Sequence, residues 1–134
     1  MLKINKQDVI EIHDLIIQTT GGRNGIKDEG LLDSAINSAY QTFGGQDLYP
    51  TIEEKAARIG YGLIANHAFL DGNKRVGMLT MLTFLEVNNI TINCSDQDII
   101  RLGIELASGT AKYHDLLQWI NNNKQQTDEY TLDM

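Results

Sequence analysis

A single proline, Pro50, stands in a chain of 134 residues. Proline is the strongest helix breaker, because it lacks the backbone donor and clashes with the preceding turn. Almost nothing therefore prevents helix wherever apolar spacing favours it. From Lys6 to Gln18, Val9, Ile12 and Ile16, with Ile10 and Ile17 beside them, follow the i, i+3, i+4, i+7 pattern of a one-faced helix. Asn5 is suited to cap that helix, with Asp8 in the first turn favoured by the helix dipole. Thr20-Gly21-Gly22-Arg23-Asn24-Gly25 breaks it. A second helix is predicted from Glu29 to Phe43, capped by Asp28, with Leu32, Ala35, Ile36, Ala39, Tyr40 and Phe43 on one face.

The run 44–50 reads as a loop or short hairpin. Thr51-x-x-Glu54 is a capping box for a third helix reaching about His67. Ala68 to Gly72 forms a short loop. The fourth helix, Asn73 to about Val87, is apolar on nearly every side and should lie centrally. Ile90–Ile92 is a short extended piece. Ser95-x-x-Asp98 starts a fifth helix that Gly109 closes, and a sixth carries Tyr113, Leu116, Leu117 and Ile120. The expectation is an all-α, single compact domain of about six helices over residues 1–120, with a short flap hairpin. Residues 121–134 read as a polar, acidic, frayed tail.

Composition narrows the function classes. The chain has 11 Lys+Arg against 18 Asp+Glu, a net charge of −7. That balance argues against nucleic acid and anionic membrane surfaces as partners. One cysteine, Cys94, cannot form an internal disulfide, which fits a reducing cytoplasm. No apolar run reaches the length of about 18 residues that a membrane span needs. The start lacks a signal-peptide core, so the expected location is cytoplasmic.

The charge is not evenly spread. Residues 1–50 sum to −3, 51–65 to 0, 66–78 to +1, 79–120 to −3 and 121–134 to −2. The only positive stretch reads Asn66-His67-Ala68-Phe69-Leu70-Asp71-Gly72-Asn73-Lys74-Arg75-Val76-Gly77. A helix starting at Asn73 presents unpaired N–H groups and partial positive charge. Lys74 and Arg75 sit in its first turn, where cations oppose the dipole, and an anionic ligand would give them a reason to be there. Gly72 permits a tight turn and close approach of a ligand to the backbone. Asp71 is a candidate Mg²⁺ ligand, since Mg²⁺ is commonly held by one or two carboxylates plus substrate phosphates. His67 is the candidate general base. Phe69 is expected to point inward as an anchor. These residue types at this spacing point to phosphoryl or nucleotidyl transfer from a Mg-nucleotide to a hydroxyl. His13 and His114 have no motif around them and are read as packing or solvent-facing groups, and Cys94, with no base partner nearby in sequence, as a small buried hydrophobe and not a nucleophile.

The string His67-Ala-Phe-Leu-Asp-Gly-Asn-Lys-Arg75 resembles the Fic/Doc family signature His-x-Phe-x-[Asp/Glu]-Gly-Asn-[Gly/Lys]-Arg, and its Lys form is similar to the Doc (death-on-curing) toxin branch. The resemblance extends from about Ile4 to Ile120. It implies that His67 takes the proton from the target hydroxyl and that Asp71 coordinates Mg²⁺. Gly72, Asn73 and Lys74 would form the anion hole, Arg75 would contact phosphates, and Phe69 would be the buried anchor. Gln41 to Tyr49 would be the flap that aligns the target segment. The implied cofactors are ATP and Mg²⁺. The implied partners are a protein target, elongation factor Tu in the Doc branch, and a Phd-like antitoxin whose C-terminal segment folds against the toxin.

Two positions depart from the AMP-transferring Fic pattern. The second motif Arg would fall at Met78, and Lys74 replaces a glycine of the anion hole. Both agree with the Doc branch, in which the γ-phosphate of ATP goes to a threonine. No Ser/Thr-x-x-x-Glu-Gly/Asn inhibitory motif is visible. The leading expectation is a Doc-like protein kinase toxin that inhibits translation. The alternatives are a Fic-type AMP transferase and a catalytically silent partner-binding domain.

Overall fold

The computed structural model describes residues 1–126. Six helices are formed among them: α1 (Lys6–Thr20), α2 (Glu29–Asn37), α3 (Ile52–Asn66), α4 (Asn73–Val87), α5 (Asp96–Ser108) and α6 (Tyr113–Asn123). Two antiparallel strand pairs complete the fold: β1 (Thr42–Phe43) with β2 (Gln46–Asp47), and β3 (Ile90–Ile92) with β4 (Lys124–Gln126). The all-α expectation holds. Local chemistry sets most helix starts. Asn5, Thr51 and Ser95 each form a capping box with the acidic residue three positions on, and Asp28 caps α2 by accepting the Leu31 N–H.

The central pair is α3 and α4, with α2 and α6 packed on α3, and α1 and α5 on α4. Ile59, Leu63, Ile64, Met81, Phe84 and Leu85 are fully buried between them. The two helices approach most closely at Gly60 and Gly77, where a side chain would collide: a Cβ on Gly77 would lie 2.5 Å from Ile64 Cγ1.

Two expectations are corrected. The second helix does not reach Phe43. α2 ends at Asn37, and a 3₁₀ turn over Ser38–Tyr40 follows it. The chain then turns through Gly44 and Gly45, whose φ of 59° and 79° suit the tight hairpin turn that matches strand twist. Turn chemistry overrides the helical spacing, and Phe43 is 81% exposed instead of facing the core. The tail does not begin at Asn121. α6 runs on to Asn123, and β4 pairs Lys124 with Ile92, Gln125 with Thr91 and Gln126 with Ile90. A polar strand is stable there because its backbone pairs with β3 and the Lys124 side chain meets Glu53. The rest of the expected tail, 127–134, lies outside the described residues.

Candidate active site

α3 ends at His67, whose φ of 50° and ψ of 51° place it in the left-handed region. A non-glycine residue held there carries backbone strain, of the kind that clusters at functional sites. The imidazole is exposed. Five residues then lead to α4, and their backbone groups are held from several sides. The Ala68 carbonyl accepts the N–H groups of Lys27 (2.7 Å) and Asp28 (3.1 Å), and the Leu70 N–H donates to the Gly25 carbonyl at 3.0 Å. The Asn73 side chain closes the loop on itself: Oδ1 accepts the Phe69 N–H and Nδ2 donates to the Phe69 carbonyl, both at 3.0 Å. Phe69 is buried beneath, as expected.

Asn73 therefore serves the site in two ways. Its side chain orders the loop, and what it offers an anion is its backbone N–H. Gly72, at φ 81°, caps α4 without a side-chain acceptor. The first backbone bond into the helix is from the Val76 N–H to the Gly72 carbonyl, at 2.8 Å. The amides of residues 73–75 are thus left at the open end, where the dipole favours negative charge. Lys74 and Arg75 are exposed beside them, and Arg75 Nη1 donates to the Thr20 hydroxyl of α1.

Asp71 is half-exposed. Its Oδ2 accepts the Arg23 N–H at 2.7 Å and faces Arg23 Nε at 3.4 Å. The Arg23 amide, helped by the Arg23 side chain and the Arg75 charge, holds the carboxyl below the usual carboxylate range against the opposing effect of burial. No hydrogen bond is made to Oδ1 among the described residues. Asp71 is thus an ionised carboxylate with one oxygen committed and one available.

The description "Fic/DOC family" fits a family model that matches residues 3–85. The chain is 35% identical over 98 residues to "Toxin Doc" of Mycolicibacterium smegmatis, which covers 73% of this chain and 72% of that protein. It is 26% identical over 92 residues to "Protein kinase doc" of Escherichia phage P1, covering 69% and 72% of the two chains. The chain belongs to the Fic/Doc family.

The family's signature residues thus fall on one loop and one helix start. Met78, at the position of the second Fic arginine, is buried and supplies no charge. It lines an apolar groove of about 700 Å³ between α1, α4 and α5, with Ile16, Leu82, Ile100 and Ile104. Lys74, Arg75 and Thr20 also border this groove, so it opens beside the start of α4. No helix among the described residues is long and apolar enough to cross a membrane.

The residues present fit a Mg²⁺ ion of the kind that travels with a nucleotide. Among the described residues no group of three or more His, Cys, Asp or Glu forms a cage. A single free carboxylate oxygen beside a helix start that no side chain caps matches an ion held chiefly by substrate phosphates and water.

Sequence reasoning missed two contributors. His13 is buried, not a bystander, and its Nε2 lies 2.7 Å from the Asp71 carbonyl. Arg23 fixes the Asp71 carboxylate from the α1–α2 loop. For His13 a signal existed: a polar side chain on the same helix face as Val9 and Ile16 needs a buried partner. Arg23 carried none, because an arginine in a glycine-rich loop looks like any solvated charge.

Proposed function

We propose that this chain is a Doc-like toxin that transfers the γ-phosphate of Mg-ATP to a hydroxyl side chain of a protein target. The observation that carries this reading is the start of α4, which no side chain caps, with Lys74 and Arg75 beside it and Asp71 at its edge. Three amides and two cations can take the phosphates. Mg²⁺, bound through Asp71, would neutralise phosphate charge. His67, exposed at the end of α3, is the group that accepts the proton of the attacking hydroxyl. Positioning and charge stabilisation account for most of such a reaction.

The kinase direction is favoured over AMP transfer because residue 78 is a buried methionine and Lys74 adds a charge at the anion hole. Both relatives named above bear Doc names, and one is named a protein kinase. The target we propose is the one that the signature's resemblance to the Doc branch implies, elongation factor Tu, with inhibited translation as the outcome. The same likeness gives the toxin an antitoxin. An amphipathic antitoxin segment is suited to the groove of α1, α4 and α5, since a peptide lying there would reach Lys74 and Arg75.

The test is transfer of label to protein in a cell lysate. Label is expected from γ-³²P-ATP and not from α-³²P-ATP, and it should be lost in His67→Ala. Label from the α-phosphate alone would replace the reading with AMP transfer. No transfer from either, with growth unaffected by expression, would leave a silent binding domain.

A further inference from the structure

We propose that His13 is a positioning residue of this site: from α1 it sets the orientation of Asp71 and the turn at Gly72 through which α4 begins. His13 is 1% exposed, in the middle of a helix whose inward face is otherwise apolar. A buried imidazole is retained at such a place when a partner satisfies it. Here the ring hydrogen-bonds and stacks on the loop, and it lies under the Gly72 turn. Nε2 lies 2.7 Å from the Asp71 carbonyl oxygen. A carbonyl only accepts, so the hydrogen bond places the proton on Nε2. The ring stacks on Phe69 with centroids 3.9 Å apart and planes 11° from parallel. A side chain at Gly72 would stand 3.5 Å from Nε2, so the imidazole also lines the underside of the turn.

These contacts bracket the functional groups without touching a substrate. Asp71 is held at its carbonyl by His13 and at its carboxylate by Arg23. With both ends fixed, the free Oδ1 has one direction. The same carbonyl bond fixes the peptide that leads into Gly72, and so the aim of the amides at 73–75. The role requires an N–H donor within reach of the Asp71 carbonyl, not proton transfer. It rests on the reading of Asp71 and the α4 start as the nucleotide site.

The test compares wild type, His13→Leu, His13→Gln and His67→Ala by calorimetric binding of Mg-ADP and by thermal melting. Leu removes donor and ring, whereas Gln keeps an N–H donor of similar reach. Loop misplacement on the ångström scale costs on the order of tenfold to a hundredfold. His13→Leu is therefore expected to weaken Mg-ADP about tenfold or more, and His13→Gln to stay within about threefold of wild type. His67→Ala should bind as wild type and transfer nothing. Wild-type affinity in His13→Leu, or equal losses in the Leu and Gln variants, would overturn the proposal. Where His13→Leu does not fold, His13→Met takes its place as the variant without a donor: a loss of about tenfold in Met with near-wild-type affinity in Gln upholds the role, and equal affinities overturn it. A wild type that binds Mg-ADP but transfers no label would remove the kinase reading and leave His13 to be judged by binding. A wild type that binds no Mg-nucleotide would remove both.

Discussion

At the scale of single residues, Asp71 shows how a loop tunes a charge. Its carboxyl lies below the usual value of 3.8 because the Arg23 amide donates to it. A depressed carboxylate contributes stability that is present above the unfolded value, 3.8, and lost as pH falls through the folded one. The group is therefore fully charged in any ordinary assay. Mg-dependent nucleotide binding should persist at about pH 5, and Asp71→Asn should abolish it at every pH with little change in melting temperature. A calorimetric pH series checks this; a loss centred well above pH 4 in wild type would contradict it. Thr80 is the opposite case. Its hydroxyl is buried in α4 with no partner among the described residues. Thr80→Val keeps the shape and removes the orphan, so it should stabilise the fold by about 1 kcal/mol. A thermal melt should rise by roughly 3–4 °C.

At the scale of elements, the β1–β2 hairpin is held by one buried lysine. Lys55 Nζ, in the first turn of α3, donates to Asp47 Oδ2 at 3.0 Å and to the Tyr49 carbonyl. Tyr49 in turn packs edge-on against Tyr113, whose phenol is pushed up to about 12 by burial and by the nearby Glu54. Lys55→Met keeps the stem of the side chain and removes both bonds. Amide exchange at Phe43 and Gln46 should then accelerate at least about tenfold while α3 stays protected. The α3–α4 contact makes a second prediction. Alanine favours helix over glycine by about 1 kcal/mol, but a Cβ at position 77 has no room beside Ile64. Overpacking outweighs propensity, so Gly77→Ala should lose roughly 1–2 kcal/mol net in denaturant unfolding. An unchanged midpoint would show that the helices can part at low cost.

These elements also show which features were legible in the chain. Caps announced themselves, since Asn5-x-x-Asp8, Thr51-x-x-Glu54 and Ser95-x-x-Asp98 are local signals read within one turn. The nine residues from His67 to Arg75 were equally legible, because a loop and the helix start after it are contiguous. Phe43 was misread because its spacing obeyed the helical period while Gly44-Gly45 imposed a turn. The strand at 124–126 left no mark, because a polar segment that pairs through its backbone has the composition of a tail.

At the scale of the whole molecule, the junction of α6 and β4 is tied to the rest by long-range bonds. The Asn93 N–H donates to the Asn123 carbonyl at 2.8 Å, and Lys124 meets Glu53 at 2.6 Å. Burial pushes the Glu53 carboxyl up, but the Lys124 hydrogen bond and charge overcome it and leave the group below its ordinary range. A chain ended after Ile120 should melt several degrees below one ended after Gln126, roughly 6 °C for about 2 kcal/mol. Equal melting would show that the strand pair contributes nothing.

The sequence by itself determined the helical class, most helix starts, and the residues His67, Asp71, Gly72, Asn73, Lys74 and Arg75 as one chemical unit. Each of these rests on interactions within a few positions, where residue type and spacing carry the physics. Only the tertiary structure decided that His13 and Arg23 hold Asp71, across 58 and 48 positions. It alone put Met78 in the wall of a groove that opens at Arg75. Contacts of that range depend on how α1, α4 and α5 pack, and packing is a property of the whole core.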